Sequence, residues 1–307
     1  MQRSPVSLKK KMRLYSYVIS NFQDSIFASQ VSQHLGCPLC IAQKKYYENG
    51  KFCIQLPLLD KPNVVLLIHR MLPSWHEDLF ELFQTIDVIK TAYPRIEVDL
   101  LLTYFPYARQ ANTAVMLARL LNTLGIRKLF TIDLHQPQQT TQFQCSTYNI
   151  DIVPLWIQEL KANLQEKICL FAADKSVQSR VEAMAKLLKC AWGYAHKNRT
   201  SNGTLELIDF QGDVTRKIVY LIDDLVDTGK TLGLVASRLK ESGACKVVAL
   251  VTHGPYRTQT LEYLKRKGID VLLTTNSLPI KTTKDAFIKI IPLESFVADV
   301  IKKSAQF

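Results

Sequence analysis

Residues 219–232 read Val219-Tyr-Leu-Ile-Asp-Asp-Leu-Val-Asp-Thr-Gly-Lys-Thr-Leu232. A segment of this kind belongs at the carboxyl edge of an open α/β sheet, where such folds bind their ligands. An apolar run of strand length stops at two adjacent acids, Asp223 and Asp224. Asp227, Thr228, Gly229, Lys230 and Thr231 then form a small polar turn, and helical spacing begins at Leu232. Backbone N–H groups of such a turn and of the helix start bind an anion. Two carboxylates beside that cradle would repel a phosphate, so they face sugar hydroxyls or a cation instead. The other reading, a surface loop whose acids only cap a helix, requires strand, paired acids and Gly-Thr turn to coincide by accident. Nor is the segment a P-loop, because no glycine stands five residues before Gly229.

Around this segment, strand and helix patterns alternate twice over. Strands are expected at 64–69, 97–105 and 128–134, with helices at 77–92 and 112–124 between them. Gly125 stands where a helix C-cap belongs. After about residue 149 the pattern restarts. Strands are expected at 168–172, 190–194, 219–222, 247–252 and 271–274, and helices at 154–163, 181–188, 232–242, 262–267 and 293–303. Repeated alternation implies parallel sheets with right-handed crossovers. The 307 residues leave room for two α/β domains. No low-complexity linker separates them, so tight packing is expected.

Composition narrows the function classes. Hydrophobic content is 47% with no long uncharged apolar run, which argues against membrane spans. The basic start, Lys9 to Arg13, runs into a strand-like segment and lacks the apolar core and cleavage site of a signal peptide. Seven scattered cysteines suit reduced thiols and a cytoplasmic protein. Cys37 and Cys40 form a lone Cys-x-x-Cys, which reads better as two small buried residues than as a zinc site. The net charge of +12 is spread along the chain without a nucleic-acid motif. Phosphorylated small molecules drawn by that charge account for part of it.

Residues 219–232 resemble the PRPP-binding loop of type I phosphoribosyltransferases and of ribose-phosphate pyrophosphokinases. Other segments favour the second family. Tyr104-Phe-Pro-Tyr-Ala-Arg-Gln110 is similar to the pyrophosphokinase signature before its N-domain active-site loop, and Ile132-Asp-Leu-His-Gln-Pro-Gln138 to its Asp-Leu-His segment. His196-Lys-Asn-Arg-Thr200 falls where that family has a flexible catalytic loop. Phe210-Gln-Gly-Asp213 and Val251-Thr-His-Gly254 match on either side of the PRPP strand. The resemblance is collinear from about Ser20 to Lys303, whereas a plain phosphoribosyltransferase would match only the second half.

The resemblance implies an α/β protein of two tandem phosphoribosyltransferase-like domains, 1–148 and 149–307, each with a mainly parallel sheet flanked by helices. The terminal helix is expected to pack back on the first domain. It implies transfer of pyrophosphate from ATP to ribose 5-phosphate, with Mg²⁺ held by His135 and Asp174. Lys197 and Arg199 take the catalytic cations. Asp223, Asp224 and the turn from Asp227 to Thr231 (Thr228, Gly229 and Lys230 between them) take ribose 5-phosphate. The nucleotide falls to Arg109, Gln110, Tyr47 and Asn49, the last two on a hairpin that in the family reaches a neighbour's adenine pocket. A homo-oligomer follows, with no nucleic-acid or membrane partner.

Departures from the pattern lie on the ATP side. Ala111 and Asn112 follow Gln110 where the family carries further charged residues, and the connection is shorter. Two acids of the family's hairpin become Asn49 and Lys51, and after Asp174, where the family has a Gly-Gly pair, Lys175, Ser176 and Val177 follow. Alternatives are therefore a related enzyme with another nucleotide or sugar phosphate, and a catalytically weak homologue that regulates an active synthetase. Joint retention of His135, Asp174, Lys197, Arg199, Asp223 and Asp224 argues for an active enzyme.

Overall fold

A computed structural model describes residues 13–21, 25–72, 74–162, 167–199, 205–254, 257–279 and 286–305; for 197–199 and 205–209 it describes the backbone alone. The first sheet contains β1 (Tyr17–Asn21), β2 (Leu39–Tyr46), β3 (Phe52–Gln55), β4 (Val64–His69), β5 (Glu97–Leu102), β6 (Lys128–Ile132) and β7 (Ser146–Ile150). Its order is β3-β2-β1-β4-β5-β6-β7, parallel except for the β2/β3 hairpin. The second contains β8 (Ile168–Ala172), β9 (Ala191–Arg199), β10 (Leu205–Gln211), β11 (Ile218–Leu225), β12 (Lys246–His253), β13 (Val271–Thr275) and β14 (Ile288–Ile291). Its order, β10-β9-β8-β11-β12-β13-β14, repeats the first strand for strand, again with one antiparallel pair, β9/β10.

The strands form where they do because parallel strands buried on both faces need continuous apolar runs. Alternation then sorts their side chains between two faces. Val18, Leu66, Ile68 and Phe130 of the first sheet join Leu170, Ala172, Ile222 and Leu250 of the second in one shared core. The neighbouring residues Ile19, Val65, Leu67 and Leu129 turn to an outer core of the first sheet, and Cys169, Phe171, Leu221 and Val251 to that of the second. Helices α1 (Ser25–Leu35), α4 (Val153–Ala162), α5 (Gln178–Leu188) and α8 (Glu294–Ser304) supply the shared core with Phe27, Trp156, Met184 and Ile301. Helix α8 packs on α1. The outer layers are α2 (Trp75–Ala92), α3 (Ala111–Thr123), α6 (Lys230–Glu241) and α7 (Thr258–Arg266).

Several elements differ from the sequence reading. Strands β2, β3, β7, β10 and β14 and helix α1 were not expected; their runs are short, polar or half-exposed, as β2 Leu-Cys-Ile-Ala-Gln-Lys-Lys-Tyr and β7 Ser-Thr-Tyr-Asn-Ile illustrate. Strand β9 does not end at residue 194 but continues to Arg199, because β10 pairs with it. The open loop expected from residue 197 is therefore strand as far as Arg199; residues 200–203 of that expected loop lie outside the described residues.

Candidate active site

The site forms where strand tips of the two sheets meet. The tip of β11 carries Asp223 and Asp224, both about 4% exposed. Asp223 Oδ1 accepts the backbone N–H of Asp224 at 2.9 Å, which fixes the bend. The first half approaches with two segments. After β5, residues 104–110 turn sharply, with Tyr107 at φ 62°, and deliver Arg109, whose Nη2 donates to Asp224 Oδ1 at 3.1 Å. Gln139 Nε2 pins this turn by donating to the Ala108 carbonyl at 2.7 Å. After β6, Asp133 adopts φ 46° and places His135 Nδ1 2.5 Å from Asp224 Oδ2. Left-handed backbone at non-glycine residues is costly and concentrates at functional sites; two instances here aim the two groups that grip Asp224.

An ionised Asp224 only accepts hydrogen bonds, so His135 Nδ1 donates to it. Burial alone would raise the Asp224 pKa; the hydrogen bond and charge of His135, then Arg109, outweigh it and hold the carboxyl well below the usual range. Burial likewise works against Arg109, and the charges of Asp224 and Asp223 overcome it.

A second charged pair braces the first. Arg180, at the start of α5, places Nη2 2.5 Å from Asp133 Oδ1, and Thr252 at the end of β12 donates its hydroxyl to Asp133 Oδ2. His253 follows, 2% exposed, with Nε2 3.1 Å from the Ile132 carbonyl and Nδ1 2.9 Å from Ser277 Oγ. Burial lowers its pKa and favours the neutral ring. Asp133, Thr252 and His253 were not singled out as site residues in the sequence. Their signal was position, each at a strand's carboxyl end inside a segment already quoted, Ile132–Gln138 or Val251–Gly254.

The turn expected to bind phosphate follows β11. Gly229 has φ 74°, and a Cβ there would meet Leu264 Cδ2 of α7 at 2.8 Å, so both backbone conformation and space demand glycine. The Asp227 carbonyl accepts the hydroxyl of Thr260 at 2.8 Å, which ties the turn to α7. Helix α6 starts at Lys230 with no side-chain cap from Gly229 and no acid in its first turn, and the N–H groups at a helix start carry the positive end of its dipole.

Other expected site residues stand apart. Asp174 follows β8, beside the β11 tip, where Ala172 pairs with Ile222. Its carboxylate caps a short 3-10 turn, accepting the Ser176 backbone N–H at 2.8 Å and the Ser176 hydroxyl. Val177, in place of a family glycine, is buried in the shared core. Tyr47 and Asn49 sit at the exposed β2/β3 turn: Tyr47 donates to Cys53 Sγ at 3.3 Å, and Asn49 Oδ1 accepts the Lys51 N–H at 3.1 Å. Lys197 and Arg199 lie on β9, their side chains outside the described residues. Among the described residues no group of three or more His, Cys, Asp or Glu is gathered as a metal site.

Two family models match in succession. The N-terminal domain of ribose phosphate pyrophosphokinase covers residues 17–125, and the phosphoribosyl synthetase-associated domain covers 201–306. The ribose-phosphate pyrophosphokinase of Campylobacter jejuni is 29% identical over 300 residues, 95% of this chain and 96% of that protein. The chain belongs to the ribose-phosphate pyrophosphokinase family. Another family member, from Aquifex aeolicus, is 24% identical over 93% of this chain and 94% of its own. In fold, the phosphoribosylpyrophosphate synthetase of Mycobacterium smegmatis superposes with a TM-score of 0.82 at 21% identity, covering 95% of this chain and 99% of that one. That end-to-end match agrees with the two sheets found here, and the tandem α/β expectation holds.

Proposed function

We propose that this chain transfers the pyrophosphoryl group of ATP to the C1 hydroxyl of ribose 5-phosphate, giving PRPP and AMP. The C1 oxygen attacks the β-phosphorus, the bond from that phosphorus to the α,β-bridging oxygen breaks, and the hydroxyl proton leaves to solvent. The observation that carries this reading is Asp224 held by Arg109 and His135 at the mouth of the phosphate turn. It sets Arg109 and the His135 N–H from one half beside a sugar-binding acid pair from the other. Such transfer depends chiefly on positioning and charge neutralisation.

In this reading Asp223 and Asp224 accept the ribose hydroxyls. The turn from Asp227 to Thr231 holds the 5-phosphate through its N–H groups, with Lys230 adding positive charge. Arg109 and Gln110 meet the triphosphate, and Lys197 and Arg199 come from the β9/β10 hairpin to the moving group. Tyr47 and Asn49 engage only where a second protomer brings its hairpin across, and a homo-oligomer is the expected state. A Mg²⁺ ion, held largely by phosphate oxygens and water, would neutralise the polyphosphate. His135 fits as its ligand, because a ligating histidine typically donates its other N–H to a carboxylate, as Nδ1 does here to Asp224. Asp174 is the proposed second ligand. Among the described residues no helix is long and apolar enough to cross a membrane. A cytoplasmic setting is the expected one, and the seven free cysteines suit it.

The test is incubation of the protein with Mg-ATP and ribose 5-phosphate. AMP and PRPP should appear in equal amounts. Folded protein that forms no AMP with any of several nucleoside triphosphates would overturn the reading.

A further inference from the structure

One buried ring stands between the two halves, at the roots of the site. The last paired residues of equivalent strands are Leu102 with Thr131 in the first sheet and Val251 with Thr274 in the second. Aligning these pairs puts Thr103 on Thr252 and Tyr104 on His253. The two equivalent rings meet: Tyr104 and His253 lie edge to face, 4.9 Å apart between centroids and inclined at 66°. His253 also reaches every segment that builds the cluster around Asp224. Its carbonyl accepts the N–H of Val226 at 3.0 Å, two residues beyond Asp224. Its Nε2 lies 3.1 Å from the carbonyl of Ile132, three residues before His135. Its ring meets Tyr104, where the segment that delivers Arg109 begins. Burial keeps this ring neutral, and a carbonyl only accepts, so Nε2 carries the proton. Nδ1 then accepts the Ser277 hydroxyl, 2.9 Å away. The other acceptor near that hydroxyl, the Thr252 carbonyl at 3.1 Å, already takes the Thr275 hydroxyl at 2.6 Å.

We propose that His253 is a positioning residue of this active site, fixing the Asp224 strand tip, the His135 segment and the Arg109 segment in one geometry. This rests on the pyrophosphoryl-transfer reading and adds what holds its groups in register. His253 is 2% exposed, so it acts through Val226, Ile132 and Tyr104 and not by touching substrate. Filling the space would not require it. An apolar ring of similar size packs without the cost of burying two nitrogens that must each find a partner. What the imidazole adds is a directed bond across the junction of the halves. The reacting groups come from both sides of that junction, and a misplacement of about 1 Å costs on the order of 10²-fold in rate. Removing the bond leaves the turn from Asp227 to Thr231 whole, so the loss belongs to turnover and not to binding.

The test compares two variants of the full-length protein. His253→Gln carries an amide N–H where Nε2 stood and keeps a donor for the Ile132 carbonyl. His253→Asn carries its amide at the place of Nδ1 and falls short of Ile132. With saturating Mg-ATP and ribose 5-phosphate, His253→Asn should lose about 10²-fold in kcat, with both KM values within a few-fold, and His253→Gln should stay within about 10-fold of the parent. Equal kcat in the two variants, or a raised KM at constant kcat, overturns the proposal. Crystal structures of both give a readout free of turnover. In His253→Gln the contacts of Arg109 and His135 with Asp224 should persist, and in His253→Asn at least one should open; both intact in His253→Asn overturns the proposal. Should His253→Asn misfold, His253→Phe replaces it, because it keeps a ring against Tyr104 and lacks the bond to Ile132. AMP formation by the parent, with the two variants alike, overturns the positioning role and leaves the transfer reading standing. Contacts that follow the expected pattern in a parent protein that forms no AMP keep the positioning role and overturn the transfer reading.

Discussion

At the scale of single residues, Asp224 carries the most. It is nearly buried, yet it answers to Arg109, His135 and, on the proposed reading, the ribose diol. Asp224→Asn keeps the shape but loses the charge that meets Arg109 and the His135 N–H. Charge-assisted hydrogen bonds are worth about 1.5–3 kcal/mol, so the affinity for ribose 5-phosphate should fall roughly 10- to 100-fold. Calorimetry should show a clearly smaller loss for Mg-ATP; equal losses would remove Asp224 from the sugar site. The identity of Asp224 was legible because two acids closed an apolar run. Its partners were named as nucleotide and metal residues, and their convergence on this one carboxylate was not visible in the chain.

At the scale of elements, the phosphate turn and the β9/β10 hairpin make different demands. The turn is built on Gly229, where the backbone is left-handed and α7 leaves no room for a methyl. Gly229→Ala should cost about 1–3 kcal/mol of stability, read as a lower thermal midpoint, and should weaken ribose 5-phosphate binding by moving the N–H groups. An unchanged midpoint would show that the turn relaxes freely. The hairpin puts Lys197 and Arg199 on a two-stranded arm at the edge of the second sheet. If the arm supplies charge mainly in the transition state, Lys197→Ala should lower turnover about 10²- to 10³-fold with substrate affinities nearly constant. A rise in the KM for ATP at constant turnover would make Lys197 a binding residue.

At the scale of the whole molecule, the duplicated topology sets the two sheets around one core. Thr103 at the end of β5 donates to the Ser277 carbonyl at 2.6 Å, and Thr252 at the end of β12 donates to Asp133, so equivalent strands reach across in both directions. Helix α8 seals this arrangement against α1. Ile301 is fully buried there, and Ile301→Ala should cost about 2–5 kcal/mol. Because the core is shared, the loss should lower a single unfolding transition, with tryptophan emission and far-ultraviolet dichroism moving together. A split into two transitions would show that the halves unfold separately.

The chain by itself determined the strand–turn–helix of the proposed phosphate site, the two α/β halves and most of their helices. Those features arise from local period: continuous apolar runs for buried parallel strands, 3.6-residue spacing for helices, and glycine where the backbone turns left-handed. The weaker elements escaped for the same reason. β3, β7 and β14 are short, β2 and β7 are half-exposed, and each is a strand because a neighbour offers its hydrogen bonds. Only the tertiary structure decided which charges meet. Arg109 and Asp224 are 115 residues apart in the chain, and Asp133 and Thr252 are 119 apart. Their pairing depends on how one sheet docks against the other, through a core assembled from both halves, and no period within either half encodes it.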